Sequence, residues 1–296
     1  MIDWDEQALR SLLFAPGNHE RRLQRVGDFE SDAIVLDLED AVADAEKDLA
    51  RDMVREALPT YDPNTVVIVR VNSHGTGRMD DDILAVACEH LDCVMVPKVE
   101  TVETLQRCDA LLYAIERERE LAPGQIRLLA IVETPIGLIR CDEIALTAPD
   151  RTITLAFGLG DFSTEIQVDL SEDGTELLYA RGRLLVAVRA AGMRAPIDGP
   201  YLDIHDDEGL AADTQRSRSL GYEGRVVVYP KQVETVQRVY AELTDEEAEQ
   251  SQRIVDAFEA AEGAGSASIQ VDGRFVDYPI YDRARQKLRL HRAARR

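Results

Sequence analysis

The sequence predicts an α/β protein built as a (β/α)8 TIM barrel with a C-terminal helical lid segment. Short apolar runs, several rich in β-branched residues, alternate eight times with stretches of helical periodicity between residues 11 and 243. Nearly all-apolar strands of this kind fit a parallel sheet covered on both faces. Eight such units at this length match a closed barrel, which typically takes about 250 residues. Several of the apolar runs end in a carboxylate and then a turn, and the C-terminal ends of the strands are where such a barrel places its chemistry. A doubly wound sheet is the alternative. Against it, no G-x-G-x-x-G follows the first strand and no Walker A sequence occurs.

The elements are expected in this order. Residues 11–17 form a first strand ending in Pro-Gly, followed by helical spacing over 19–28. Residues 32–40 are a second strand with an acidic end, and the helix over 44–58 is stopped by Pro59. Residues 65–72 are the most β-branched strand of all, followed by a Gly-containing loop and a helix from about residue 80. The fourth strand, 93–98, leads to a helix over 101–118. The fifth, 127–133, leads to one over 137–146. The sixth is 152–157, and the helix over 175–192 has a Gly stop. Residues 195–198 are a weak seventh strand before a helix over 208–220, and 225–229 are the eighth. Helices over 232–243 and on to 262 follow, the second capped by Thr244 with Glu247 three residues on. Residues 263–268, Gly-Ala-Gly-Ser-Ala-Ser, have a hinge composition. The expected division is a barrel over 1–262 and a lid appendage over 263–296.

Of 34 basic residues only four are lysine (Lys47, Lys98, Lys231 and Lys287), and the net charge is −22. Such a surface repels nucleic acid and anionic membrane. It also suits a salt-rich cytoplasm that screens self-repulsion, so a halophilic source is expected. No apolar run nears the roughly 18 residues of a membrane span, and the N-terminus lacks a secretory pattern, so the expected location is cytoplasmic. Cys88, Cys93, Cys108 and Cys141 form no CxxC pair and are read as reduced and mostly buried. The last segment reverses sign: Arg283, Arg285, Lys287, Arg289, Arg292, Arg295 and Arg296 form either a solvated tail or a clamp on phosphates or on a neighbouring subunit.

Glu133 and Asp161 stand at matching ends of the fifth and sixth strands. Either alone is equally well a helix cap. Together, in apolar surroundings, they suit a hard divalent cation such as Mg2+, with Mn2+ the alternative. The other polar groups counted at strand ends are Asp37, Glu39, Asp40, Arg70, Asn72, Lys98 and Asp198, with Arg10 before the first strand. An arginine within an apolar strand is costly unless paired. Arg70 is therefore either neutralised by Glu39 or Glu133, or a fork for substrate oxygens. Lys98 is read as an ion-pair partner rather than a Schiff-base lysine, and Asp37 and Asp40 as supports for their neighbours or loop caps. None of the five histidines lies at a strand end.

The motifs Arg10-Ser-Leu-Leu-Phe-Ala-Pro-Gly17, Val35-Leu-Asp-Leu-Glu-Asp-Ala-Val42, Val69-Arg-Val-Asn72, Val96-Pro-Lys98, Glu133-Thr-Pro135, Phe157-Gly-Leu-Gly-Asp161 and Glu176-Leu-Leu-Tyr-Ala-Arg181 occur in order. Together they resemble the citrate lyase β-subunit-like family, which includes malyl-CoA, β-methylmalyl-CoA and citramalyl-CoA lyases. The resemblance implies a Mg2+-dependent carbon–carbon lyase that cleaves or forms a 3-hydroxyacyl-CoA, giving an acyl-CoA and a 2-oxoacid, with coenzyme A entering as part of the substrate. It implies metal ligands Glu133 and Asp161, substrate contacts Arg10, Arg70 and Glu133, and a catalytic pair of Arg70 and Asp277. Asp277 matches an acidic residue on a lid contributed by a neighbouring subunit of a homo-oligomer, a trimer or hexamer. Where the family usually has Ile-His-Pro, this chain has Val228-Tyr229-Pro230; tyrosine donates a hydrogen bond but cannot stand in for a charged histidine. The acyl group therefore stays open. The alternatives are a β subunit acting on a carrier-bound citryl thioester, a Mg2+-dependent 2-keto-3-deoxy sugar acid aldolase, and a non-catalytic barrel used in assembly.

Overall fold

The computed structural model describes residues 2–4, 6–241, 245–263 and 265–293. Thr244, expected as a cap, Leu243, expected as a helix end, and Arg295 and Arg296 of the basic tail lie outside the described residues.

Eight parallel strands close into a barrel in chain order. They are β1 (Ser11–Pro16), β2 (Ala33–Asp37), β3 (Val66–Arg70), β4 (Cys93–Val96), β5 (Arg127–Val132), β6 (Thr152–Phe157), β7 (Ile197–Asp198) and β8 (Gly224–Val227), and β8 pairs back onto β1. The helices are α1 (Glu20–Arg25), α2 (Lys47–Ala57), α3 (Met79–Val86), α4 (Val102–Glu118), α5 (Pro135–Thr147), α6 (Leu159–Glu165), α7 (Leu178–Ala190), α8 (Asp207–Leu220) and α9 (Gln232–Ala241). The barrel is the fold that the alternating pattern predicts.

The period of two along each strand sorts side chains between two cores. Leu12, Ala33, Val35, Val66, Ile68, Cys93, Met95, Leu129, Ile131, Ala156, Ile197 and Val226 fill the inside of the barrel. Leu13, Ile34, Leu36, Val67, Val69, Val94, Val96, Leu128, Ala130, Val132 and Phe157 face the helices. Carried one step further toward the C-terminal ends, the inward phase reaches Asp37, Arg70 and Glu133. Asp198 and Arg225 fall on the opposite phase.

Helix α6 has no counterpart in the expected elements. Its sequence, Leu-Gly-Asp-Phe-Ser-Thr-Glu, has a weak intrinsic helix preference. Tertiary packing supplies the difference: Leu159 and Phe162 are buried, and the Phe162 ring meets Phe157 edge-on with centroids 5.3 Å apart.

The chain divides into two compact units, Met1–Tyr240 and Ala241–Arg296. The second holds α10 (Asp245–Gly263), an antiparallel hairpin of β9 (Ile269–Val271) and β10 (Arg274–Val276), and α11 (Tyr278–Ala293). The boundary thus falls ahead of the expected 262/263. Val255 and Phe258 of α10 bury themselves with Val276, Tyr281, Ala284 and Leu288, and Phe258 stacks on Tyr281 at 4.7 Å. Helix α10 therefore belongs to the same unit as β10 and α11, and the Gly-Ser run joins α10 to β9 inside that unit. Among the described residues no helix is long and apolar enough to cross a membrane.

Candidate active site

The charged groups at the C-terminal ends of β2 to β6 form one continuous cluster. The β2–β3 register sets Asp37 directly opposite Arg70. Nε and Nη2 of Arg70 each donate to one Asp37 oxygen at 2.7 Å, the two-pronged geometry that fixes a guanidinium. Nη1 lies 3.3 Å from Glu39 Oε2, and the guanidinium carbon sits 5.0 Å from the centre of the Phe14 ring. Asp37 also accepts the backbone N–H groups of Glu39 and Ala41, so it orients Arg70 and caps the loop at once. Burial works against ionising Asp37, but the arginine and these N–H groups outweigh it and hold its pKa below the usual carboxylate range.

Glu39 is nearly fully buried just beyond β2. Its loop is tied down by Lys47, at the start of α2, whose ammonium donates to the carbonyls of Leu38 at 3.0 Å and Glu39 at 2.6 Å. Glu39 Oε2 has no hydrogen-bond partner. Burial, with the charge of Asp40, pushes the Glu39 carboxyl up to about 7 despite Arg70 and Lys98.

Glu133 follows the last residue of β5 and is also buried. Its Oε1 accepts the backbone N–H of Lys98 at 2.8 Å. Gly158, just after β6, lies under the same carboxyl: a Cβ there would stand 2.3 Å from Glu133 Oε2. Burial first, and then Glu39 and Asp161, raise Glu133 to about 8, with Arg70 opposing. Asp161 sits in the first turn of α6, at the position a helix N-terminus favours for a carboxylate.

Lys98 ties the cluster together from a left-handed backbone, φ +51°. Its ammonium lies 3.0 Å from Glu39 Oε1, 3.2 Å from Asp40 Oδ2 and 3.5 Å from Asp161 Oδ2. Burial opposes this charge, but the three carboxylates outweigh it and its pKa is raised. A lysine held protonated in this way is an ion-pair partner and not a free amine for Schiff-base chemistry.

The donor set fits a hard divalent cation. The oxygens are all carboxylate. Glu39 and Glu133 are driven up by burial and by neighbouring negative charge, and Glu39 Oε2, 3.3 Å from Arg70, accepts no hydrogen bond. Among the described residues, no three His, Cys, Asp or Glu side chains form a ready metal cage. Mg2+ is commonly bound through one or two carboxylates and keeps waters and substrate oxygens among its ligands.

Other residues expected at the site stand elsewhere. Arg10 precedes β1 and pairs with Asp32, which precedes β2, through Nε at 2.8 Å and Nη2 at 2.7 Å. That is the N-terminal mouth of the barrel, the end opposite the cluster, so Arg10 is a structural clamp and not a substrate contact. Asp198, on the outward phase of β7, pairs with buried Arg181 at 3.0 Å. Arg181 and Arg225 share Asp213 of α8, so Asp198 belongs to a buried lattice between barrel and helices. Asn72 donates to Asp82 at 2.7 Å. Tyr229 is held by its backbone, which donates to and accepts from Gln232. Asp277 lies in the C-terminal unit at the start of α11, where its Oδ1 faces the N–H of Ile280 at 3.4 Å. From the sequence, Glu39 is expected only as a strand-end counter-charge for Arg70, and Lys47 and Gly158 carry no expected role. The inward phase of β2 stops at Asp37, and Glu39 reaches the cluster only through its loop.

Residues 10–230 match the HpcH/HpaI aldolase/citrate lyase family. The chain is 37% identical over 290 residues to the citrate lyase subunit beta of Leuconostoc mesenteroides subsp. cremoris, covering 98% of this chain and 95% of the relative. It is 34% identical over 280 residues to a (3S)-malyl-CoA thioesterase of Cereibacter sphaeroides, covering 94% and 93%. Among solved structures, the protein CitE of Mycobacterium tuberculosis in complex with magnesium, acetoacetate and coenzyme A superposes with a TM-score of 0.79 at 27% identity, covering 97% of this chain and 99% of that one. The chain belongs to the HpcH/HpaI aldolase/citrate lyase family and is an enzyme of the lyase kind.

Proposed function

We propose that this protein is a Mg2+-dependent carbon–carbon lyase acting on a 3-hydroxyacyl-CoA such as malyl-CoA, β-methylmalyl-CoA or citramalyl-CoA. The observation that carries the reading is the gathering of Arg70, Glu39, Lys98, Glu133 and Asp161 at the C-terminal mouth of the barrel. The magnesium and coenzyme A bound to the CitE relative support it. Glu133 and Asp161 would hold the ion, whose Lewis acidity would act on the keto oxygen of the 2-oxoacid half.

The chain's own residues supply the rest. Arg70, locked to Asp37, presents a fixed positive charge to the oxygens that gain charge as the carbon–carbon bond breaks. The hydroxyl proton passes to solvent, the bond's electron pair passes into the thioester as an enolate, and the 2-oxoacid carbonyl forms. Asp277, brought by the C-terminal unit of a neighbouring subunit in a homo-oligomer, returns a proton to the enolate carbon. In condensation the same carboxylate removes it.

The test is cleavage of (S)-malyl-CoA, β-methylmalyl-CoA and (S)-citramalyl-CoA with and without Mg2+, with the released 2-oxoacid trapped by phenylhydrazine. Mg2+-dependent release from one ester names the substrate. The higher identity to a citrate lyase subunit beta favours a second reading, action on a carrier-bound citryl thioester. Inertness toward every CoA ester with turnover of the carrier thioester would select it. Release of free CoA thiol without 2-oxoacid would instead match the thioesterase relative.

A further inference from the structure

Five carboxylates meet at the barrel mouth, Asp37, Glu39, Asp40, Glu133 and Asp161, against two cations. Arg70 is committed: it is partly buried and fixed to Asp37 by two hydrogen bonds of 2.7 Å. Lys98 is not. Its side chain is about one-third exposed (32%), and it divides its charge among Glu39 at 3.0 Å, Asp40 at 3.2 Å and Asp161 at 3.5 Å. A compact ammonium on a flexible stem can exchange such partners, whereas a two-pronged guanidinium cannot. The backbone N–H of the same residue fixes Glu133 Oε1. Lys98 thus touches both carboxylates assigned to the metal, one through its backbone and one through its ammonium. Its left-handed backbone, costly for a residue with a Cβ, is a further sign that the surroundings dictate this placement.

We propose that Lys98 is a placeholder cation, whose ammonium holds Asp161 and Glu39 in place when no divalent ion is bound and gives up Asp161 to the ion when one binds. Asp40, exposed at the rim, is then the positioning residue that receives the displaced ammonium. This rests on the Mg2+ reading of the site.

The experiment is calorimetric titration of MgCl2 into the full-length, EDTA-stripped protein, for wild type, Lys98→Met, Asp40→Asn and the double variant. Thermal unfolding of each is recorded with and without saturating Mg2+. Lys98→Met should bind Mg2+ tighter by about three- to thirtyfold, within the range of a direct pairwise coupling. It should lower the melting temperature of the stripped protein and lose that deficit when Mg2+ is saturating, because the ion takes over the lysine's role. Asp40→Asn should weaken Mg2+ binding in wild type and change it little in the Lys98→Met background. Unchanged or weaker Mg2+ binding by Lys98→Met, equal destabilisation with and without Mg2+, or additive effects in the double variant would each overturn the placeholder role. Lys98→Gln takes the place of Lys98→Met if the latter fails to fold. A wild-type protein that binds no Mg2+ would overturn the Mg2+ reading itself, and this inference with it.

Discussion

Arg70 has no freedom to adjust to a poorly placed substrate, since Asp37 grips it on one edge and Phe14 lies against its carbon. That rigidity is what electrostatic stabilisation of developing charge requires. Arg70→Ala should lower the turnover of thioester cleavage by about 10²–10³ while leaving Mg2+ affinity measurable by calorimetry; near wild-type turnover would remove Arg70 from the chemistry. Glu39, raised to about 7, and Glu133 both titrate in the neutral range, and Glu133 is the higher of the two. Burial, aided by Glu39 and Asp161, raises it from 4.5 to about 8. The folded state therefore holds this proton more tightly than the unfolded chain does. The associated stability is full below about pH 4.5 and is lost as pH climbs through 8. Metal binding needs the carboxylate, so it runs the other way and strengthens with pH over the same window. In EDTA, the melting temperature should fall between about pH 6 and 9 more in wild type than in Glu133→Gln, while wild-type Mg2+ affinity rises. A slope equal in the two proteins would place the titration elsewhere. At this scale the sequence was partly readable. Arg70 and Glu133 lie on the inward phase of apolar strands, and the same alternation, followed strictly, puts Asp198 outside. Arg10 misled because a residue beside a strand does not announce which end of the barrel it occupies. Its partner Asp32, before the neighbouring strand, is the sign that it lies at the N-terminal mouth.

The junction of β6 and α6 shows how an element, and not only a side chain, builds the site. Gly158 leaves room for the Glu133 carboxyl, and α6 then carries Asp161 to the same place within its first turn. Gly158→Ala would set a Cβ 2.3 Å from Glu133 Oε2 and 2.4 Å from Glu133 Cβ, and a buried side chain packed against backbone has little room to retreat. Mg2+ affinity should fall by about 10- to 100-fold, the usual effect of disturbing what supports a metal ligand, with the barrel still folded by circular dichroism. Affinity within about twofold of wild type would mean that Glu133 does not hold the ion in this orientation. Long apolar strands and well-patterned helices such as α4 were legible from periodicity. Helix α6 was not, because seven residues with a glycine second in line carry no helical pattern; only the packing of Leu159 and Phe162 makes them a helix. The β9–β10 hairpin escaped for a related reason. Each strand is three residues long and mostly unburied, too short for alternation to show.

Across the whole molecule, 56 acidic residues face 34 basic ones, and the barrel must fold against that repulsion. At molar salt the screening length shrinks to about 3 Å, so repulsion between separated surface carboxylates is largely removed while partly buried pairs such as Arg70–Asp37 are screened much less. The melting temperature should rise by about 5 °C or more between dilute buffer and about 2 M KCl; a flat or falling curve would count against adaptation to a salt-rich interior. The division into two units allows the barrel to be tested alone. The barrel's apolar clusters are built from residues up to Tyr240, and the C-terminal unit has its own centre around Phe258. A chain ending after Ala241 keeps every strand of the barrel, both barrel cores and all of Arg70, Glu39, Lys98, Glu133 and Asp161. It loses Asp277. Such a chain should still unfold cooperatively and bind Mg2+ with affinity near that of the full protein. Its turnover should nevertheless drop by about 10²–10⁴, the contribution of a positioned proton donor. Asp277→Ala in the full-length protein separates that residue from the rest of the unit: an equal loss assigns the effect to its carboxylate, and a much smaller loss assigns it to the unit as a cover that excludes water. Full turnover by the truncated chain would remove the C-terminal unit from the reaction and leave the barrel mouth to perform the proton transfer alone.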